Sequence, residues 1–392
     1  MERHAKERLV QPDIAILIGT SIQWGRQVID GINQYNREHS PWHIFLEARG
    51  MDETLELPPD WHGDGVIARI ACEKLARQLK ELNIPVVNIS SIQVAGTEDF
   101  PRVTTNNELF AQLALNYFLD LGFNHIGYFS LRRICYIARQ HDAFLKAAKQ
   151  AGIECSVYEA PPGTGPAPAW NLDIRSLREW LKNLPKPTGI LTWNATCARQ
   201  IVYACEQEGL FVPDDVAVLS AADDDLLCEL SHSPLSAVDV RAKQIGYRAA
   251  ELMDQLLQKK ISNQTVLIEP GGVITRQSTD TLAIKDQQLA AAIRFIRNHV
   301  SENIQVGDVA RHAGLSRRVL ERRFTQILSR TPAQEIRRVK LDCAKQLLIK
   351  TELSIPDIAE TAGFGSPEYL AYVFRSHEKM TPLAYRKKNR QL

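Results

Sequence analysis

The chain has 392 residues, 44% hydrophobic and 24% charged, which is the make-up of an ordinary globular protein with two or three domains rather than a disordered or fibrous one. Lys and Arg number 47 against 46 Asp and Glu, for a formal charge of +1, and no apolar run approaches the ~20 residues that span a bilayer. The opening stretch MERHAKERLVQPD lacks the apolar run of a signal peptide, and the seven cysteines include no C-x-x-C pair, which argues against a disulfide framework or a zinc site. A cytoplasmic protein with no metal and no cofactor is therefore expected.

Residues 10–282 alternate short apolar runs with amphipathic stretches. Residues 14–18 read as a buried strand, followed by a helix over 24–37, strands at 43–47 and 65–70, a helix over 73–82 and a strand at 86–89. Next come a helix over 108–121 closed by Gly122, a strand at 126–129 and a helix over 137–151. After a Pro/Gly loop at 160–169 the alternation resumes with a strand at 190–193, a helix over 196–208, a strand at 216–219 and a helix over 242–260. Strand–helix alternation at this spacing predicts parallel sheets covered on both faces. Two sheets, with chain crossings near Val103 and Val238, give two lobes and a cleft. In open α/β sheets, ligands bind beyond the carboxyl ends of the strands.

A leading helix over 286–300 opens the tail, which then repeats itself. IPDIAETAG (355–363) matches VGDVARHAG (306–314), pairing Asp308 with Asp357, Ala310 with Ala359 and Gly314 with Gly363. Further on, Ser316, Leu320, Phe324, Thr331 and Pro332 match Ser366, Leu370, Phe374, Thr381 and Pro382, with one inserted residue in the turn, at Gly365. An insertion confined to a turn predicts two copies of one helix–turn–helix. In each copy a short helix ends at a glycine suited to a left-handed position, and a serine caps the next helix. The first of these second helices is expected to bury Leu320, Phe324 and Ile327 and to present Arg318, Glu321, Arg322 and Thr325. The other is expected to bury Leu370, Val373 and Phe374 and to present Glu368, Ala371, Tyr372 and Arg375. Between the copies, Thr331-Pro332-Ala333-Gln334 reads as a capping box that opens a helix reaching about Lys350. Such a spacer would set two recognition helices at the ~34 Å interval of major-groove entries on one DNA face.

Charge is distributed accordingly. Residues 286–392 hold 19 Lys and Arg against 11 Asp and Glu, a net of +8, while the remainder carries 28 against 35, a net of −7. A basic tail on an acidic body suits a double-stranded DNA partner. Arginine can pair with two acceptors of guanine or with a phosphate. A solvated helix face would also carry arginines; the duplication is what favours DNA.

The stretches IQVGDVARHAGLSRRVLERRFTQILSRTP and SIPDIAETAGFGSPEYLAYVFRSHEKMTPLAYR resemble the AraC/XylS family of transcription regulators over residues 289–386. The resemblance places base-reading residues on the two second helices, at Arg318, Glu321 and Arg322 and at Glu368 and Tyr372, with Arg375 on the same face. The chain departs from the family pattern at Met380, where a glycine is usual, and at Thr325, where a basic residue is common. The body, through VTTNNELFAQLALNYFLDLGFNHIGYFS, ARQHDAFLKAAKQAGI, GLFVPDDVAVLSAADDD and HSPLSAVDVRAKQIGYRAAELM, resembles the ligand-sensing domain of the LacI/GalR family, which shares its fold with periplasmic sugar-binding proteins. The expected architecture is thus a two-lobed α/β sensor (10–282) followed by an all-α tandem helix–turn–helix domain (286–392).

A sugar offers hydroxyls and weakly apolar faces, which proteins meet with carboxylates, amides, arginines and aromatic rings. By position in the resemblance, Asp223, Asn194 and Arg139 fall on ligand-binding residues, although Ala195 stands where an aspartate is usual. Trp24 and Arg26, after the first strand, are candidates for stacking and hydrogen bonding. Glu47 and Arg49 are further candidates at another strand end. Asp223 and Asn194 would alternatively serve as caps or turn formers, and Asp224 and Asp225 read as turn residues. The combination resembles D-xylose-responsive activators. It implies a sugar effector, a homodimer and, for an activator, contact with RNA polymerase, with no membrane. A repressor released by its ligand, or a regulator of another sugar, stays open. No G-x-S-x-G, phosphate loop or metal-spaced histidine set points to an enzyme.

Overall fold

The computed structural model describes residues 11–39, 41–48, 56–58, 61–131, 135–160, 174–260, 263–281, 286–302, 304–328 and 330–390. It divides into two compact units, residues 1–119 with 123–281, and residues 120–122 with 282–392.

The larger unit begins β1 (Asp13–Leu17), α1 (Gln23–Glu38), β2 (His43–Leu46), β3 (Gly65–Ala68), α2 (Glu73–Glu81), β4 (Val86–Asn88) and β5 (Arg102–Thr105). It continues α3 (Asn107–Asp120), β6 (Ile126–Leu131), α4 (Cys135–Gln150), β7 (Cys155–Ala160), α5 (Ile174–Asn183), β8 (Thr188–Thr192), α6 (Ala195–Gln207) and β9 (Val216–Ser220). It closes with α7 (Asp225–Glu229), β10 (Ser236–Asp239), α8 (Ala242–Leu257), β11 (Thr265–Ile268), β12 (Gly272–Ile274) and a 3-10 turn at Gln277–Thr279.

Two six-stranded sheets result, in the orders β11-β5-β4-β3-β1-β2 and β12-β10-β9-β8-β6-β7. Pairing is parallel in both except where β12 runs against β10. Alternation along β1 shows why its apolar run is unbroken. Ile14 and Ile16 pack against Val28 and Ile32 of α1 and Ile245 and Met253 of α8, while Ala15 and Leu17 face Leu75 and Leu79 of α2. A strand covered on both faces needs apolar residues at every position. In the second lobe Ile190, Val216 and Val218 meet Leu177 and Leu181 of α5 and Ile201 of α6.

The chain crosses between the sheets three times, after β5, after β10 and after β11, where two crossings were expected. The crossings are stitched to one another. The Asn106 amide donates to the Ile268 carbonyl (2.8 Å), and the Gly271 amide donates to the Asp239 carbonyl (2.7 Å). The third crossing escaped the sequence reading because β11 and β12 are edge strands of four and three residues, too short for a periodic signal. Leu267 in β11 is exposed. The strand β7 and helices α5 and α7 were also not anticipated, and residues 161–169 of the expected Pro/Gly loop lie outside the described residues.

The smaller unit holds α9 (Gln287–Asn298), α10 (Val306–His312), α11 (Arg317–Leu328), α12 (Pro332–Lys350), α13 (Ile355–Thr361), α14 (Pro367–Glu378) and α15 (Pro382–Arg390). The paired Asp308 and Asp357 now have a cause. Each is the third residue of its helix and accepts from the N-cap amide, of Gln305 (2.9 Å) and Ser354 (3.2 Å), in a capping box. Thr331 and Gln334 form the expected box at the head of α12. Ser316 and Ser366 cap α11 and α14 through the amides of Val319 (3.4 Å) and Tyr369 (3.1 Å). Leu320, Phe324, Leu370 and Phe374 are fully buried. Ile327, expected inside, is 48% exposed, and Leu328 is buried in its place. The inner stripe of α11 thus steps by four residues from Leu320 through Phe324 to Leu328, which turns Ile327 outward. Within α12, Glu335 is fully buried and gripped by Arg338 through Nη2 (2.8 Å) and Nε (3.0 Å).

Gly314 and Gly363 end α10 and α13 with φ of +63° and +71°. A Cβ on Gly363 would lie 2.1 Å from the Val300 carbonyl oxygen, whereas one on Gly365 would meet nothing within 4 Å. Gly363→Ala should therefore lower the stability of the helical unit by more than the roughly 1–2 kcal/mol of a left-handed alanine, and Gly365→Ala should change it by less than about 0.5 kcal/mol. Calorimetric melting of the full chain checks the contrast.

Candidate functional site

The carboxyl ends of strands from both sheets meet at a cavity of about 170 Å³. That lies below the roughly 300–1,000 Å³ of sites for drug-sized molecules and suits one small polar molecule. Its walls mix aromatic rings, Trp24 and Trp193, with polar groups including Arg69, Gln140, Asn194 and Asp223. Ile22, Ile89, Leu227 and Val240 give it an apolar lining between these groups.

Each polar group is set by the strand or helix behind it. Asn194 follows β8 and is the N-cap of α6: its Oδ1 accepts from the Cys197 amide at 2.8 Å. The side chain therefore caps a helix and lines the cavity at once. Trp24 lies in the first turn of α1, and the Arg69 guanidinium sits 5.0 Å from its ring centroid, a cation–π contact. Asp223, just after β9, is largely buried, and its Oδ1 accepts from Arg276 Nη1 at 2.9 Å. Burial pushes the Asp223 carboxyl above its ordinary value, and the hydrogen bond and charge of Arg276 oppose that rise.

Asp224 and Asp225 were expected as turn residues. Asp224 is the N-cap of α7, accepting from the Leu227 amide at 3.3 Å. Asp225 opens α7 and reaches across the cleft mouth to Gln23 of α1. Gln23 Nε2 donates to Asp225 Oδ2 (2.8 Å), and the Asp225 amide donates to Gln23 Oε1 (2.6 Å).

Of the seven expected sugar residues, Trp24, Asn194 and Asp223 line the cavity. Three more fall elsewhere. Arg26 is exposed and donates to the Thr20 carbonyl at 2.8 Å, bracing the loop ahead of α1. Glu47 is exposed beyond β2. On α4 it is Gln140 that lines the cavity, while the neighbouring Arg139 is near enough to Arg102 for its charge to help depress that group's pKa, after burial. Arg49 lies outside the described residues. Sequence reasoning missed Arg69, Gln140, Trp193, Gln23 and Arg276. Arg69 and Trp193 were assigned to strands they in fact follow, and the strand-end position was the available signal.

On the helical unit the expected DNA-facing residues lie on the outer faces of α11 and α14. Arg318 and Arg322 are exposed, and Glu321 is half-exposed and accepts from Arg317 Nε at 2.9 Å. Glu368, Tyr372 and Arg375 are exposed, with Tyr372 at 70%. The backbone amide of Glu368 and the side chain of Ser366 hold the Glu368 carboxyl below its ordinary value. Tyr369, not anticipated, is a second exposed aromatic on α14. Among the described residues, no helix is long and apolar enough to cross a membrane.

Residues 13–108 match the XylR N-terminal domain, residues 115–279 a periplasmic binding protein-like domain, and residues 309–388 a helix-turn-helix domain. The chain is 31% identical to the xylose operon regulatory protein of Escherichia coli (strain K12) over 389 residues, covering 97% of this chain and 98% of that one. It is 31% identical over 380 residues to the protein of the same description from Haemophilus influenzae, covering 95% and 97%. The solved structure of the xylose-binding transcription activator xylR superposes with a TM-score of 0.62 at 30% identity, covering 97% of this chain and 98% of that one. These relatives are regulatory proteins rather than enzymes.

The double duty of Asn194 is separable. Asn194→Ser keeps a capping oxygen, and its stability should stay within a few tenths of a kcal/mol of the native chain, whereas Asn194→Ala should cost about 1 kcal/mol. Urea unfolding of both variants measures the difference.

Proposed function

Since the chain belongs to the family of xylose operon regulatory proteins, we propose that it is a sugar-responsive, sequence-specific transcription regulator, an activator of pentose-utilisation genes with D-xylose as effector. The observation that carries the sugar reading is the cavity between two sheets, sized for one small molecule and walled by two tryptophans, a carboxylate and an amide. Asp223 Oδ1 is occupied by Arg276, so Oδ2 accepts from sugar hydroxyls. Asn194 Oδ1 is occupied by its helix cap, so the amide nitrogen donates to a hydroxyl oxygen. Arg69 covers one face of Trp24, and the sugar's apolar face stacks on the other. Gln140 replaces the expected Arg139 as the polar group from α4.

Because groups of both lobes meet in the cavity, a bound sugar contacts more protein when the lobes are closed. Only that difference in affinity can shift the open–closed balance. Closure then acts on a homodimer in the cytoplasm, changing how two helical units engage promoter DNA and present RNA polymerase with a surface. On the DNA side, Arg318 and Arg322 of α11 supply bidentate donors for base edges or phosphates. Glu321, Glu368, Tyr372 and Arg375 complete the two outward faces.

Isothermal titration of the full chain with D-xylose, D-ribose, L-arabinose and D-glucose tests the effector. Saturable heat with D-xylose, lost in Asp223→Ala, is expected; heat with none of the four would sink the sugar reading. Promoter binding measured with and without D-xylose tests the sign of regulation, since tighter binding with sugar supports an activator and weaker binding a ligand-released repressor. Arg318→Ala should weaken specific DNA binding by ~1–3 kcal/mol. An equal loss on scrambled DNA would reduce Arg318 to a phosphate contact.

A further inference from the structure

Behind the cavity wall lies a residue that is bonded to the cavity carboxylate Asp223 but does not itself line the cavity. Arg276 follows β12, and its backbone is pinned on both sides by Ser236. The Arg276 amide donates to Ser236 Oγ (2.8 Å), and Ser236 Oγ donates to the Arg276 carbonyl (3.0 Å). Its guanidinium is only 12% exposed, and each of its three nitrogens donates a hydrogen bond. Nη1 donates to Asp223 Oδ1 (2.9 Å) and to the Leu235 carbonyl (2.9 Å), Nη2 to Asp225 Oδ1 (3.3 Å), and Nε to Glu229 Oε1 (2.7 Å). One rigid fork thus holds three carboxylates, and two of them have different tasks at the cleft. Asp223 faces the cavity, and the other oxygen of Asp225 takes the cross-lobe hydrogen bond from Gln23.

We propose that Arg276 is a positioning residue that couples the cavity carboxylate Asp223 to the Gln23–Asp225 clasp, so that ligand capture and lobe closure are set by one guanidinium. The proposal rests on the reading of the cavity as a sugar site and adds to it the means by which closure responds to the ligand. Geometry argues for coupling rather than mere support. A planar guanidinium fixed at its backbone cannot tilt towards one carboxylate without leaving the other. When a sugar hydroxyl fixes Asp223, Arg276 is fixed with it, and Asp225 is held where Gln23 meets it. Lysine could keep the charge but grip one carboxylate at a time.

Titration calorimetry of the full chain with D-xylose, using Gln23→Ala, Arg276→Gln and the double variant, provides the test. Gln23→Ala should weaken sugar binding about tenfold in the native background and about twofold or less once Arg276 is Gln, because residues sharing one hydrogen-bond network do not add. The acid limit of binding should also move to higher pH in Arg276→Gln. Asp223 is faced by Arg276, Asp225 and Cys228, with Glu229 on the far side of the guanidinium, and removing the Arg276 cation leaves burial and like charge to lift its carboxyl. A merely structural arginine would lower the melting temperature without moving that limit. Where Arg276→Gln does not fold, Arg276→Lys replaces it, with an intermediate loss of affinity and a reduced dependence on Gln23 expected. Sugar binding by the unaltered chain with equal losses from Gln23→Ala in both backgrounds overturns the coupling alone. No binding of any pentose by the unaltered chain overturns the sugar reading and the coupling together.

Discussion

Parallel strands send their carboxyl ends in one direction, and this constraint places nearly every polar group of the cleft. The inner strands of both lobes are covered on two faces, so their side chains have apolar neighbours above and below and little room for a group that must meet a hydroxyl. Only the ends are open. Arg69 stands just past β3, Trp193 and Asn194 past β8, and Asp223 past β9. Both sheets follow the same strand order, with the first strand of each lobe next to its second and third. Chemistry contributed by two such sheets therefore converges on one place without any long loop to carry it there.

The helical unit solves a different problem, presenting polar faces while burying short helices. Two seven-residue helices, α10 and α13, are too short to persist alone. Each is closed at its start by a capping box and at its end by a left-handed glycine. The duplication in the sequence is therefore a duplication of helix ends and core contacts. The outward faces have diverged, with arginines on α11 and exposed tyrosines on α14. Salt would weaken contacts made by the first far more than those made by the second.

Much of this was legible before any coordinates. The tail could be read from its repeated caps and the sheets from unbroken apolar runs, because both signals are local. What could not be read depended on partners distant in the chain. Arg276 meets Asp223 across 53 residues, and it follows an edge strand of three residues with no pattern of its own. Helix phase accounts for two smaller corrections. A step of one residue rotates a side chain by about 100°, which is why Gln140 rather than Arg139 meets the cavity, and why Leu328 rather than Ile327 is buried. Asn194 shows the reverse case, where a side chain that caps a helix also lines the cavity.

The three crossings also impose a timetable on synthesis. The first lobe draws its covering helix α8 and edge strand β11 from residues more than 130 positions beyond β5. Until that later segment leaves the ribosome, Val28, Ile32 and the sheet face they share lack the cover that α8 supplies. The second lobe waits only for β12, six residues after Ile268 at most. The lobe encoded first is thus completed almost together with the one encoded second, and the intervening exposure of its apolar face is a window in which a chaperone would find a binding surface.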